Sequence, residues 1–352
     1  KLVLLSVFVC LAFIARTQVR DSLHLSVIAD AYFSSSTDIS TGKRLPYQVN
    51  YDQNNKPDIN FLAATFHYTK NHFRTNMGVM AGRYADLNLS LEEPWARNIY
   101  EANIGYRFTS DEEIWLDLGI LPSHIGFESV PANKNWSGTR SLVADLSPYY
   151  ETGLRLSYTP NEDWYFSILA LNGWQRITTP LDQFGESWGM QITYKPEPNW
   201  TINSSSFIGK SSIDSSASSR IYSNLFSTLQ LNPRMWVMAG WDWGMQDNST
   251  IQWHDFMVQY RYAFLYNKIF STFRYEYFTD PGALFRPLIP VRKHRLHMLS
   301  LNFDYIPIKK MMLRAEANYL LAQHPIIGTS SPFSKNLLSF SFIGSIQIDY
   351  KK

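Results

Sequence analysis

From Leu337 to Tyr350 bulky apolar residues alternate with small polar ones. Leu338, Phe340, Phe342, Ile346, Ile348 and Tyr350 share one parity, interrupted by Gly344. Ser339, Ser341, Ser345, Gln347 and Asp349 hold the other, with Ile343 its one apolar member. Successive side chains of a strand point to opposite faces, so the segment predicts a strand with one face in oil and one in water. A soluble edge strand reads the same way; repetition separates the two. Near the start of the chain Leu23, Leu25, Val27, Ala29, Ala31 and Phe33 oppose His24, Ser26, Asp30 and Tyr32. Similar segments follow at Asn60 to Thr69, His72 to Arg83, Ile99 to Phe108 and Ile114 to Leu121.

Tight turns fall at Lys70-Asn71, Thr109 to Glu112, Pro160 to Glu162, Pro196 to Asn199, Asn232 to Arg234, Tyr266-Asn267 and Ile306 to Ile308. The connections between them are longer: 34–58, 85–97, 122–148, 173–185, 210–219, 244–250, 279–291 and 322–336. This alternation predicts an all-β chain, a single transmembrane antiparallel β-barrel of about sixteen strands, within a range of about fourteen to eighteen, with short periplasmic turns and long extracellular loops. Tyr106 and Phe108, Tyr158 and Trp164, Tyr194 and Trp200, Tyr260, Tyr262 and Phe264, and Phe303 and Tyr305 flank the short turns, as an interfacial aromatic girdle does. A soluble β-sandwich is the competing reading, but no segment shows the second apolar face that its core needs. A barrel this wide leaves an aqueous lumen rather than a side-chain core, so width itself argues for a pore.

Lys1, the apolar run from Leu2 to Ile14 and the small residues Ala15 and Thr17 predict a signal peptide over residues 1–17, with 18–352 as the barrel domain. Cys10 is the one cysteine and lies in that leader, which excludes disulfides and thiolate metal sites from the mature chain. The leader also carries Lys1 and Arg16 and no acid, so its removal leaves bases and acids in equal number. A neutral chain argues against nucleic acid as a partner. The few residues between Gln18 and the first strand leave no room for a plug domain ahead of the barrel, which favours passive diffusion over gated uptake.

Charge on the lipid face at mid-bilayer costs about 2–4 kcal/mol for Arg or Lys, so charged strand residues should face the lumen. Glu101, Arg107, Asp117, Glu151, Arg155, Lys195, Asp255, Arg261, Arg274, Glu276, Arg314 and Glu316 all take the inward parity. Their signs nearly cancel, which predicts weak charge selectivity. For any single one of them, a salt bridge that stiffens the wall is the plainer role. Parity does not resolve near Trp164 to Leu171, Arg220 to Gln230 and Met235 to Trp243, and no pore residue is placed there. The 122–148 connection follows the fifth strand and carries both signs of charge. By analogy with general porins it folds inward and narrows the channel, with His124, Glu128, Lys134, Arg140 and Asp145 as lining candidates. The alternative is that Pro122, Phe127, Trp136 and Pro148 cap the barrel rim.

The stretch Leu118-Gly-Ile-Leu-Pro-Ser-His-Ile-Gly-Phe-Glu-Ser-Val130, with Asn135-Trp136, Thr139-Arg140-Ser141-Leu142 and Ser147-Pro148-Tyr149-Tyr150-Glu151, resembles the OmpL-like putative beta-barrel porin family of Bacteroidota. The likeness extends from Tyr100-Glu101-Ala102-Asn103-Ile104-Gly105 to Gly153 and Tyr158-Thr159-Pro160. The resemblance implies a bacterial outer-membrane pore whose barrel covers nearly all of the mature chain, and it fixes no solute. Expected partners are outer-membrane lipid, small polar solutes and, during biogenesis, the barrel assembly machinery.

No enzyme is expected. His254, His294 and His297 lie near strand ends, but no Gly-x-Ser-x-Gly signature joins them to a serine, and His297 falls on the lipid-side parity. His-Glu-x-x-His is absent, and Asp52, Asn54 and Asn55 lack the spacing and closing Glu of a calcium loop, so no cofactor is implied. A structural or adhesive barrel that presents its outer loops to partners is the second reading of function.

Overall fold

The computed structural model describes residues 21–37, 50–110, 112–145, 147–178, 185–210, 219–247, 252–265, 268–281, 294–325 and 334–352. The expected leader over 1–17 lies outside them. The strands are β1 (Ser22–Ser36), β2 (Lys56–Lys70), β3 (Phe73–Ala81), β4 (Ile99–Arg107), β5 (Glu113–Pro122), β6 (Tyr150–Thr159), β7 (Trp164–Leu171) and β8 (Ser187–Glu197). The second half adds β9 (Trp200–Lys210), β10 (Ser219–Asn232), β11 (Met235–Gln246), β12 (Gln252–Leu265), β13 (Ile269–Asp280), β14 (His294–Tyr305), β15 (Met311–Ala322) and β16 (Asn336–Lys351). Each strand pairs antiparallel with its sequence neighbours, and β1 closes on β16 with Leu25 opposite Tyr350 and Phe33 opposite Phe342. The barrel thus has no open edge. The alternation read from the sequence gives the correct strand count, and β2 starts earlier than expected, at Lys56 inside the stretch read as a loop.

Side chains sort by parity as the two solvents require. On β16, Phe340, Phe342, Ile346, Ile348 and Tyr350 project outward and stay exposed, while Ser339, Ser341 and Ser345 are buried inside. The same split holds for Val27, Met77, Ile104, Leu118, Ile208 and Leu301, all outward. The girdle residues cluster at the short-turn end: Trp164 stacks on Tyr194 at 4.1 Å, and Tyr262 meets Phe264 at 4.9 Å. Phe342 is mid-strand and 60% exposed. Phe342→Arg should therefore cost about 2–4 kcal/mol in a denaturant titration from lipid vesicles. A loss below about 1 kcal/mol would place this position away from hydrocarbon.

The interior is not a bare lumen. The connection from β5 to β6, residues 123–149, enters the barrel and crosses to the far wall, carrying the short helix α2 (Leu142–Asp145). Its Ile125 and Leu142 join an apolar cluster with Leu169, Leu171, Phe207, Tyr222 and Trp253, all inward residues of β7, β9, β10 and β12. Phe127 meets Phe226 edge-on at 5.3 Å, and Phe127 and Trp136 pack on Met238 and Met257. These contacts account for the strands whose parity the sequence leaves unresolved. Their inward face meets the dry side of this segment, so β7, β10 and β11 carry apolar residues on both faces. The expectation that no region has a second buried apolar face is corrected on the same ground. A second connection also folds in: Tyr84 of α1 (Arg83–Asn88), with Leu89 and Ala96 beyond it, packs with Val130, Tyr150 and Ile177. Its Glu92 carboxylate accepts from the Tyr150 hydroxyl and the Ile177 N–H, both at 2.8 Å.

Candidate functional site

Backbone groups of an irregular segment inside a barrel need partners, and the wall supplies them as charges. Residues 138–142 run along β13 and β15. Glu316 accepts hydrogen bonds from the N–H groups of Gly138 and Thr139 and from the Thr139 hydroxyl. Glu276 accepts from the Leu142 N–H and pairs with Arg274 at 2.6 Å. Arg274 in turn donates to the Thr139 carbonyl at 2.7 Å and lies 3.9 Å from Glu128, which accepts from the Ser141 N–H at 2.9 Å. Gly138 lets the segment lie close to the wall here, because a Cβ would press on the ends of the Ile343 and Glu316 side chains.

The segment's first half is held the same way. Arg314 donates to the Asn135 carbonyl at 2.9 Å and forms a forked pair with Asp304 at 2.6 and 2.8 Å. Asp30 accepts from the Ala132 N–H at 2.8 Å, and Asn302 donates to the Trp136 carbonyl at 3.1 Å. Where the segment leaves β5, the buried His124 ring donates from Nδ1 to Glu151 and from Nε2 to the Ser206 carbonyl, each at 2.8 Å. Only the imidazolium donates from both nitrogens. Burial favours the neutral ring, but the Glu151 carboxylate and the two hydrogen bonds outweigh it and hold His124 above its ordinary range. Gly189 lets the ring approach β8 closely, since a Cβ would fall 2.6 Å from it.

Most wall charges read from the sequence are buried on the inner side of the barrel, and few meet open lumen. Glu151, Arg274, Glu276, Arg314 and Glu316 are sealed between wall and inner segment, and Asp255 is buried on β12. Arg140 is also buried, with its guanidinium 4.5 Å over the Tyr149 ring. The Asp145 side chain lies outside the described residues. Glu101 pairs with His67, and Arg107 with Glu113 at 2.9 Å. Asp117 accepts from both Arg74 and Arg155 across β3, β5 and β6, and Arg74 also lies 4.2 Å over the Trp115 ring. Lys134 and Lys195 are exposed towards the short-turn end. Arg220, Tyr222, Asn224 and Asp242 also face inward, in strands where sequence parity gave no signal; Asn224 and Tyr222 donate to Asp242. His297 sits on the outer face as expected, 3.0 Å from the Tyr275 hydroxyl.

Solved structures share this architecture. The outer membrane channel DcaP of Acinetobacter baumannii aligns with TM-score 0.57 and 14% identity over 95% of this chain and 99% of that one. An anion-selective porin from Comamonas acidovorans aligns with TM-score 0.59 and 10% identity over 94% and 100%. OmpT of Vibrio cholerae aligns with TM-score 0.54 and 8% identity over 93% and 97%. At such identities the likeness establishes the fold alone. No curated protein matches the chain. Residues 22–346 match the family described as "Putative beta-barrel porin-2, OmpL-like", and the chain belongs to this family of bacterial outer-membrane β-barrels.

Proposed function

We propose that the protein is a passive diffusion pore for small polar solutes, with its short turns in the periplasm, its long connections outside and residues 123–149 as an internal constriction. Residues 1–17 enter this reading as the export leader. The observation that carries it is the pairing of an apolar outer belt with a polar inner wall onto which that segment is tied. A barrel serving only as an anchor for outer loops has no use for a segment held inside by charged side chains, since each such group is costly to bury. Small polar solutes would pass the wall residues left uncovered at the short-turn half, Arg74, Asn76, Arg155, Gln191, Thr193 and Lys195 among them. The near balance of charge on the wall sets selectivity between ions weak.

Purified protein in planar bilayers should give discrete current steps of one dominant size. A folded barrel that stays silent at all voltages would overturn the pore and leave the structural or adhesive reading.

A further inference from the structure

The wall carries both signs in near balance, but the two signs are not equally accessible. Asp117 is fully buried under Arg74, which keeps 24% of its side chain exposed, and under Arg155. Across the barrel, Asp304 is fully buried under Arg314 and Arg261. One carboxylate is thus shared by two guanidinium groups on each of two nearly opposite walls, β3–β6 and β12–β15. At Asp117 the partly exposed Arg74 and Arg155 form the open side, and at Asp304 Arg314 is buried and Arg261 is the guanidinium that keeps some exposure. Glu113 is a carboxylate that stays open in this half, paired with the buried Arg107.

The second cluster borders a cavity of about 180 Å³ between the tip of the inner segment and the β14–β15 turn. Lys134, Arg261 and Lys310 line it with the amides of Asn133 and Gln347 over a floor that includes Met312, and no carboxylate is among its lining residues. Lys134 has no ion-pair partner among the described residues. Lys310 pairs with Asp349, whose oxygens also accept from Ser26 and Gln347. Desolvation first, then the nearby Lys351, Lys309 and Lys134, hold the Lys310 ammonium below the usual lysine range in spite of its pairing with Asp349.

We propose that this cavity binds small organic carboxylates and gives the pore a preference for anions. The inference rests on the pore reading and adds a sign to its weak selectivity. Ammonium and guanidinium groups with carboxamide donors match a carboxylate's acceptors, and the methionine floor takes an aliphatic chain. The unpaired Lys134 gives the cavity a positive side that raises the local concentration of anions.

The test is a potassium chloride gradient across bilayers holding the full protein. The wild type should reverse at a potential of the chloride sign, and succinate should reduce its current where the neutral succinamide does not. Lys134→Gln with Lys310→Gln should bring the chloride-to-potassium permeability ratio down towards one and relieve the succinate block. Lys335→Gln, at the long-connection end, should behave as wild type. Current steps that reverse at zero or with the potassium sign would overturn the anion preference and leave the pore intact. A succinate block indifferent to the double substitution would overturn the site. Silence from a folded barrel would overturn the pore reading itself, and this inference with it.

Discussion

Glu276→Gln combined with Glu316→Gln should free residues 138–142 from the wall and raise single-channel conductance severalfold, with a larger solute cutoff in liposome swelling. Each carboxylate satisfies backbone N–H groups of the segment, and each is buried. Hydrogen bonds to charged groups contribute about 1.5–3 kcal/mol each. Glu276 also neutralises Arg274, and removing one member of a buried pair costs about 3–5 kcal/mol because the other charge is stranded. The segment relieves that cost by leaving: Arg274 then regains water and Thr139 no longer needs its partner. The barrel has no such option, since its ladders close through β1 and β16 without help from the segment. The doubly substituted protein should therefore keep the heat-modifiable gel mobility of a folded barrel while its channel widens. Unchanged conductance and cutoff in a folded protein would show that 123–149 does not limit the passage.

The strands and turns were legible because hydrocarbon and water impose a period of two on every segment that meets both. Legibility fails where a third environment intervenes. Leu169 and Leu171 on β7 point inward onto Ile125 and Leu142, a contact no local pattern announces because it joins distant parts of the chain. The inward fold of α1 is hidden for the same reason: Tyr84 and Leu89 have no periodic partners until the barrel brings Tyr150 and Ile177 to them. For the charged residues, direction was readable and exposure was not. Asp117 reads as one acid among balanced bases, and only the register of β5 against β6, with Asp117 opposite Arg155, shows it to be covered. Lys134 and Arg261 were both candidates, but the cavity between them depends on where the segment lands.

Stability should fall as pH rises through the titration of His124. Its folded value lies above the ordinary value of about 6.5, because the Glu151 carboxylate and the Ser206 carbonyl both favour the charged ring. A raised folded value means that the folded state binds the proton more tightly than the unfolded one. The contribution is then complete below about pH 6.5 and is lost as pH climbs through the folded value, by about 1.4 kcal/mol for each unit that separates the two. Deprotonation leaves one ring nitrogen facing an oxygen with nothing to donate, in a buried site. Since His124 fixes the segment where it leaves β5, the first consequence should be loosening of 123–149, read as greater current noise and faster proteolysis within the segment at alkaline pH. Glu151→Gln removes the charge that holds the proton, so His124 becomes neutral at lower pH and the alkaline loss should shift down towards neutrality. His124→Gln should abolish the dependence and leave a segment that is weakly held at every pH. Noise and proteolysis with the same pH profile in His124→Gln as in wild type would show that another group carries the titration.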